Sequence, residues 1–582
     1  MTRIAGRKPV ADPVEADEVG APPPVVEWDR QGLRVNGSAV PRSRKTVRLE
    51  CRGWNDYRPA EGERTAVQNL VIDQSGGTVD LAYSKFGEWP LAYYVSAGRL
   101  ILGPSPEGVR RALQARSPSP QPDRIGILES LLLDCPLRHR TLFAGIHKPI
   151  PGDVLRFDVR RGTVRRRSAW ILPFSDASAA RTSHAKLLGE ACELLESLWN
   201  RSRGAGGTKM ADAPLTVPLS GGLDSRLLLG LLCRERVAVQ TVSFGSPRSV
   251  ECVVARKVAA ACGASWRQVV LQSGDYGVRG AEVARLTGGM SSGAHSHLYA
   301  VLSRSPRFRR PLVHGYLGDV YAGDSQPDVA SRFPLGKGEA ADAFVAARLA
   351  GHPLWRSIPL EDRDGIRADL EAALDDCCLR NLPCHFDEYI HNVDRQSGLI
   401  AWVFAVCELH APLIRPFANP EYAEFFNALP FELRSRRRLF RDAARRICPD
   451  LFRLPESRAP YSSRIPRAVQ SGYLRLRNLL HRGSAWATRD HWVLESPGVV
   501  QRFDRWLRGP LRDELGRGAS LASDLLDIDL SQLARVGWRD RIPYTQFRLL
   551  ALANLFSDSP REGAERTPLD GFPASGFGNS AA

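Results

Sequence analysis

The chain has 582 residues, 43% hydrophobic and 25% charged, which is typical of a globular protein with more than one core. Its net charge is +16, mostly from arginine, and its eleven cysteines are scattered, which favours reduced thiols in the cytoplasm. No apolar run approaches the ~20 residues that cross a bilayer, so we expect no membrane partner. The cysteines and histidines do not have zinc-finger spacing, and we expect no nucleic-acid partner either. The arginine-rich runs at 160–167 and 434–446 predict solvated faces or contacts with an acidic partner.

The first part of the chain has the pattern of a sheet-rich domain. Residues 1–25 are rich in Pro, Ala, Asp and Glu and predict a disordered lead without the apolar segment of a secretory signal. Short runs such as KTVRLECRG and PLAYYVSAGRLILG then favour antiparallel strands. PEGVRRAL and DRIGILESLLLD have helical spacing, and VLRFDVRRGTVRRRSAW predicts a hairpin. We therefore predict a first domain over residues 26–175.

The second part has the pattern of a parallel α/β sheet. A linker near 171–182 leads into a long amphipathic helix, which is followed by the segment VPLSGGLDSRLLLG. Next come a strand (AVQTVSFG), a helix (VECVVARKVAAACG) and two further strands (SWRQVVL and PLVHG). This alternation predicts a doubly wound parallel sheet, and helical patterns dominate from about residue 335. We predict a second domain over 183–565 and a disordered tail over 566–582.

The segment VPLSGGLDSRLLLG places a glycine turn between a strand and an apolar helix. A helix N-terminus at the carboxyl end of a parallel strand offers unpaired N–H groups that suit an anion. Gly221 and Gly222 allow the backbone to approach that anion, and the hydroxyls of Ser220 and Ser225 can donate to it. Asp224 would repel a phosphate unless a cation lay between them, which predicts a nucleotide–magnesium site. The segment lacks the G-K-[ST] of a P-loop.

SGGLDS resembles the pyrophosphate loop of the N-type ATP pyrophosphatases, and the surrounding stretches are similar to asparagine synthetase-like proteins. These stretches are TVSFGSPRSVECVVARKVAAACGASWRQVV (241–270), LVHGYLGDVYAGD (312–324) and the helix with its following ALP segment at 394–430. Upstream, FGEWPLAYYVSAGRLILG and TLFAGIHKPIPGDVLRF resemble the end of that family's glutamine amidotransferase domain. The resemblance implies an α+β sandwich of the Ntn-hydrolase type, followed by an ATP pyrophosphatase domain with a helical C-terminal part.

The same resemblance implies a two-step reaction. A substrate carboxylate attacks the α-phosphate of ATP, which releases pyrophosphate and leaves an acyl-adenylate. An amine or ammonia then displaces AMP to form an amide. The resemblance places Ser220, Gly221, Gly222 and Ser225 on pyrophosphate, Asp224 and Asp319 on magnesium, Leu219, Ser243 and Gly245 beside adenine, and Gly318 in the second nucleotide loop.

The N-terminal domain departs from the family pattern. Its amidotransferase members use a cysteine directly after the initiator Met, whereas Thr2 stands at that position here. Cys51 lies in a strand-like run and would need proteolysis to become an N-terminal nucleophile. We therefore expect a degenerate amidotransferase-like domain that does not hydrolyse glutamine.

The synthetase part departs as well. The family carries a lysine after the ALP helix, and the nearest cations here are Arg458 and Arg464, our candidates for its catalytic role. Arginine can neutralise phosphate charge but does not relay protons usefully. Val320 replaces the family's Glu. Arg226 follows the pyrophosphate loop, where it can reach the substrate or pair with an acid, and we expect the pairing.

The sequence therefore predicts an ATP-dependent, amide-forming carbon–nitrogen ligase that uses ATP and Mg²⁺. Its partners would be a small-molecule or peptide carboxylate and an amine or ammonia, and an oligomer is possible. The alternatives are asparagine synthesis from ammonia, cyclisation of the lasso-peptide or β-lactam synthetase kind, and a non-catalytic ATP-binding relative.

Overall fold

A computed structural model describes residues 26–29, 31–35, 37–41, 43–53, 56–59, 68–114, 120–170, 172, 183–205, 214–323, 337–377, 389–456, 466–488, 501–535 and 543–556. The predicted lead and tail, most of the predicted linker, and Thr2, Arg458 and Arg464 lie outside these residues.

Two antiparallel sheets form the N-terminal part, as the short β-like runs predict. Their strands are β1 (Val26–Asp29), β2 (Gly32–Val35), β3 (Ser38–Ala39), β4 (Thr46–Gly53), β5 (Asp56–Pro59), β6 (Asn69–Asp73), β7 (Thr78–Ala82), β8 (Ala92–Ser96), β9 (Arg99–Gly103), β10 (Asp153–Asp158) and β11 (Thr163–Ser168). The strand orders are β3-β2-β1-β9-β8 and β11-β10-β7-β6-β4-β5. Alternate residues of β6 and β7 are buried because successive side chains of a strand point to opposite faces.

The second part is built on a parallel sheet of five strands. These are β12 (Leu215–Pro218), β13 (Val239–Phe244), β14 (Ser265–Val269), β15 (Leu312–Val313) and β16 (Leu413–Ile414), in the order β14-β13-β12-β15-β16. All neighbouring pairs are parallel, as predicted. Because the chain crosses from one side of β12 to the other, its carboxyl end is the switch point at which ligands bind in open α/β sheets.

Helices cover both parts and dominate after residue 337. The α-helices are α1 (Pro106–Gln114), α2 (Arg124–Leu133), α3 (His184–Ala205), α4 (Leu223–Arg234), α5 (Val250–Ala261), α6 (Ser273–Leu286), α7 (His297–Arg304), α8 (Gly318–Ala322), α9 (Lys337–Phe344), α10 (Pro353–Ser357), α11 (Leu360–Cys377), α12 (Ala401–Cys407), α13 (Pro420–Asn427), α14 (Phe431–Arg434), α15 (Arg438–Ile447), α16 (Pro449–Phe452), α17 (Arg467–Ala487), α18 (Phe503–Arg508), α19 (Arg512–Leu526) and α20 (Pro543–Phe556). Short 3₁₀ turns lie at Gly293–His295, Pro306–Phe308, Ser435–Arg437 and Ser531–Ala534, and π-helical stretches at Val345–Leu349 and Ile390–Ile400. No helix within the described ranges is both long and apolar enough to cross a bilayer.

The N-terminal part has its own buried cluster and also contributes to the large core of the parallel-sheet part. Ile127 and Leu131 of α2 belong to the same buried cluster as Val217 of β12 and Leu228 of α4. Ion pairs reinforce this contact, since Arg548 of α20 binds Asp134 at 2.9 Å and Arg138 binds Asp376 at 2.7 Å. The N-terminal part therefore contacts the parallel-sheet part through both apolar packing and ion pairs.

Candidate functional site

The glycine turn lies at the carboxyl end of the central strand, as predicted. Leu219, next after β12, donates its amide to the carbonyl of Val242 at 2.8 Å, which keeps the turn beside β13. Helix α4 then begins after Gly222, which has an extended backbone and no side-chain cap. The first N–H groups of α4 are thus left without a side-chain cap at the switch point of the sheet, where the helix dipole favours an anion.

Gly221 has the conformation that makes this turn possible. Its φ is +72°, a left-handed value that residues with a Cβ rarely adopt. A Cβ at this position would lie 2.9 Å from Cγ1 of Val254 and 3.1 Å from the carbonyl oxygen of Glu251. The turn therefore packs directly on helix α5, and only glycine fits.

Two hydroxyls flank the turn. The Ser220 side chain is exposed and its Oγ accepts from the amide of Gly222 at 3.3 Å. The Ser225 hydroxyl is buried and has no hydrogen-bond partner. An unpaired buried hydroxyl is costly unless a ligand or water satisfies it, so Ser225 is suited to a polar ligand at this helix start.

Asp224 is held by an arginine from a distant part of the chain. Arg437 donates from Nη1 to Asp224 Oδ2 at 3.0 Å, and its Nη2 contacts Oδ1 as well. The Arg437 side chain is only 4% exposed, and the neighbouring negative charge of Asp224 raises the guanidinium pKa despite its burial. This is a bidentate pair in which the carboxylate is already neutralised.

The second predicted loop lies against Asp224. A Cβ on Gly318 would lie 2.5 Å from Asp224 Oδ1, and one on Gly315 would lie 2.9 Å from Asp224 Cβ. Asp319 follows in the first turn of α8. The negative charges of Asp224 and Asp319 both raise the pKa of the Arg437 guanidinium. The structure therefore brings the two predicted acids to the same guanidinium.

Arg437 is anchored from several sides. Its Nη2 lies 3.4 Å from the carbonyl oxygen of Gly318, which also accepts from the Tyr422 hydroxyl at 2.6 Å. The guanidinium carbon lies 4.2 Å from the centre of the Phe440 ring, a cation–π contact. The prediction of a solvated face at 434–446 is thus wrong for Arg437, and also for Arg434, which is 1% exposed.

The prediction that Arg226 pairs with a carboxylate is wrong. Its side chain is buried and donates to the carbonyls of Gly221 at 3.0 Å, Leu451 at 3.1 Å and Pro455 at 2.6 Å. Burial lowers its pKa to about 10. The residue ties the glycine turn to the segment after α16 because its fork matches several carbonyls at once.

The residues predicted beside adenine lie together at the ends of β12 and β13. Ser243 Oγ donates to the Leu219 carbonyl at 2.6 Å and accepts from Trp266 Nε1 at 3.0 Å, so its hydroxyl is already used. Gly245 has φ +118° and donates its amide to Val269 at 3.2 Å. These residues can shape a wall by van der Waals contact rather than by side-chain hydrogen bonds.

The sequence did not point to Arg437 or Tyr422 as part of this site. Arg437 lies 213 positions from Asp224 in the chain, and nothing in its local arginine run distinguishes it from its exposed neighbour Arg438.

Within the residues that the structure describes, no group of three or more His, Cys, Asp or Glu is arranged to hold a metal ion.

Comparison with known proteins identifies one family. Residues 207–294 match the family described as asparagine synthase. The matched stretch includes the glycine turn, Asp224 and strands β12 to β14, and ends before Asp319. No curated protein matches the chain.

Proposed function

We propose that this chain, whose residues 207–294 match the asparagine synthase family, is an ATP-dependent synthetase that forms an amide bond. In this proposal a substrate carboxylate attacks the α-phosphate of ATP, the bond to the β-phosphate breaks, and pyrophosphate leaves. An amine or ammonia then attacks the acyl carbon of the adenylate and AMP leaves. The observation that carries the proposal is the uncapped start of α4 behind Gly221 at the switch point of the parallel sheet.

The residues around the turn have distinct proposed roles. Ser220, Gly221, Gly222 and Ser225 bind the pyrophosphate portion of ATP through hydroxyl and amide donors. Leu219, Ser243 and Gly245 border adenine, and Gly318 supports the second loop against Asp224. Arg458 and Arg464 remain the proposed catalytic cations. Positioning and charge neutralisation supply most of the catalysis of phosphoryl-type transfer.

Magnesium is the part of this proposal that fits the structure least well. The resemblance assigns Asp224 and Asp319 to the ion, but Arg437 occupies both oxygens of Asp224. A metal at Asp224 would have to displace a buried guanidinium.

We propose that the reaction uses an amine or ammonia without glutamine hydrolysis. Cys51 lies inside β4, which pairs with β5 on one side and β6 on the other. A residue inside a paired strand cannot supply the free α-amine that an N-terminal nucleophile needs. Incubation with glutamine should release no glutamate, whereas glutamate formation would contradict this part of the proposal.

Pyrophosphate release tests the synthetase proposal. The full chain with ATP, an amine and a panel of carboxylates, aspartate included, should release pyrophosphate only when the cognate acid is present. Asp224→Ala should abolish the release, because it leaves Arg437 buried without its partner and deforms the loop. Asp450→Asn is the control, since that carboxylate is 87% exposed.

A chain that binds ATP but releases pyrophosphate with none of these acids would be a non-catalytic relative. The neutralised Asp224 is the observation that favours this second possibility. Calorimetric titration with ATP separates the two functions, because both require binding and only the synthetase turns over.

A further inference from the structure

We propose that Arg437 is the resident cation of the ATP loop and takes the place on Asp224 that the family resemblance gives to magnesium. The loop would then bind the phosphates of ATP without a divalent ion on Asp224. This inference rests on the proposed function only in taking ATP as the ligand.

The geometry of the pair is that of a built-in contact. Both terminal nitrogens of Arg437 reach Asp224, one oxygen each, and the two side chains are 4% and 15% exposed. The planar guanidinium matches both carboxylate oxygens at once, and it cannot lose its charge at any ordinary pH. No carboxylate oxygen of Asp224 is left without a cation.

The guanidinium is also fixed from behind. Phe440 lies under it at 4.2 Å, and the carbonyl of Gly318, itself held by Tyr422, lies 3.4 Å from Nη2. The backbone of Arg437 is left-handed, with φ +60°. An ion entering at Asp224 would therefore have to displace an anchored, buried group rather than a mobile surface side chain.

The negative charge at the loop already faces a cation. Asp224 forms an ion pair with the buried guanidinium of Arg437, and the charge of Asp319 acts on the same guanidinium. A phosphate at the start of α4 would thus face donors and a neutralised carboxylate, not two unpaired acids. This removes the repulsion that made a metal ion necessary in the sequence-based prediction.

Calorimetric titration of the full chain with ATP, in excess EDTA and in millimolar Mg²⁺, tests the proposal. We expect the two dissociation constants to agree within about threefold. A loss of affinity of more than about tenfold in EDTA would overturn it, because Asp224 would then need a metal to accept phosphate.

Arg437→Met should reverse this behaviour. Removal of the guanidinium should weaken ATP binding in EDTA by at least about tenfold, and Mg²⁺ should restore it. The variant should also gain a Mn²⁺ site detectable by electron paramagnetic resonance without nucleotide, because Asp224 is freed. Arg438→Met is the matched control, since Arg438 is the neighbouring arginine and is exposed. An Arg437→Met variant indistinguishable from wild type would overturn the proposal.

Asp224→Asn provides the test if Arg437→Met does not fold by circular dichroism. It keeps the shape of the pair but removes the negative charge, so ATP should bind in EDTA at least as tightly as to wild type. If Asp224→Asn binds ATP more weakly than the wild type does in Mg²⁺, Asp224 is a metal ligand and the proposal is contradicted. ATP binding that requires Mg²⁺ would contradict only this inference. The absence of ATP binding under either condition would contradict the proposed function as well.

Discussion

Gly221 is the single residue on which the turn depends most directly. Two separate features exclude a side chain there, namely the left-handed backbone and the contact with Val254 and Glu251 of α5. Gly263, at the end of α5, has a similar φ of +63° but open space around it. A side chain at Gly263 would therefore meet conformational strain alone, whereas one at Gly221 would meet strain and a steric clash.

Gly221→Ala should destabilise the protein by about 2–4 kcal/mol, because strain adds to a clash that α5 must relieve. Gly263→Ala should cost only about 1 kcal/mol, since strain acts alone there. Urea unfolding followed by circular dichroism measures both values. Equal losses would show that the contact with α5 contributes nothing, and ATP affinity should fall only for Gly221→Ala.

Local sequence patterns indicate some residues of the candidate site but not others. Ser220, Gly221 and Asp224 could be proposed as site residues because they lie within five consecutive positions. Arg437 was missed because its role depends on a contact with Asp224 across 213 positions. A run of arginines is usually solvated, and no local pattern shows which member the fold will bury.

At the scale of elements, Arg226 connects the start of α4 with the segment that follows α16. Its guanidinium donates to Leu451, the Leu454 carbonyl at 3.2 Å and Pro455, and lies 5.7 Å from the centre of the Phe452 ring. The last carbonyls of a helix lack partners within it, and a basic side chain can satisfy them. Arg226 thus donates to carbonyls at and after the end of α16 and to the Gly221 carbonyl at the same time.

Arg226→Met should therefore destabilise the chain by about 2–4 kcal/mol, since several buried carbonyls lose their donor. Thermal and urea unfolding measure this loss. Arg234→Met, at the exposed end of the same helix, should cost less than about 1 kcal/mol. A similar cost for both variants would show that the buried contacts of Arg226 are dispensable.

The elements themselves were largely predictable, and their arrangement partly so. Strands such as β6 and β7 follow a two-residue period, and the strand–helix alternation from β12 to β14 indicates a parallel sheet. The very short β15 and β16 and the π-helical stretch at Ile390–Ile400 carry no comparable local signal. Tertiary packing determines such elements more than their own sequence does.

At the scale of the molecule, the N-terminal part has one buried cluster of its own between its sheets and contributes to a second cluster that it shares with the parallel-sheet part. Ile127 and Leu131 of the first part pack in the same cluster as Val217 of the second. Arg548, 2% exposed, spans the contact by donating to Asp134 and to the carbonyl of Gly289 at 2.8 Å. The part of the chain that carries the parallel sheet therefore packs directly on the N-terminal part.

We expect one cooperative unfolding transition for the whole chain. Tryptophan fluorescence and circular dichroism should give coincident urea curves. Arg548→Met should lower the stability by about 3–5 kcal/mol without splitting the transition, because it leaves Asp134 with a partly uncompensated buried charge. Arg161→Met is the control, since that arginine is 79% exposed. Two separated transitions would show that the parts fold independently.

The arginines of β11, which belong to the run at 160–167, acquire a role from their place in the six-stranded sheet. Strand β11 is an edge of that sheet and pairs only with β10 among the described strands. An exposed edge strand offers free N–H and C=O groups to any other extended chain and is a site for aggregation. The side chains of Arg165 and Arg167 are exposed along this edge, so a second copy aligned on it would bring like charges together. The positive charge of β11 thus protects the sheet from edge-to-edge association.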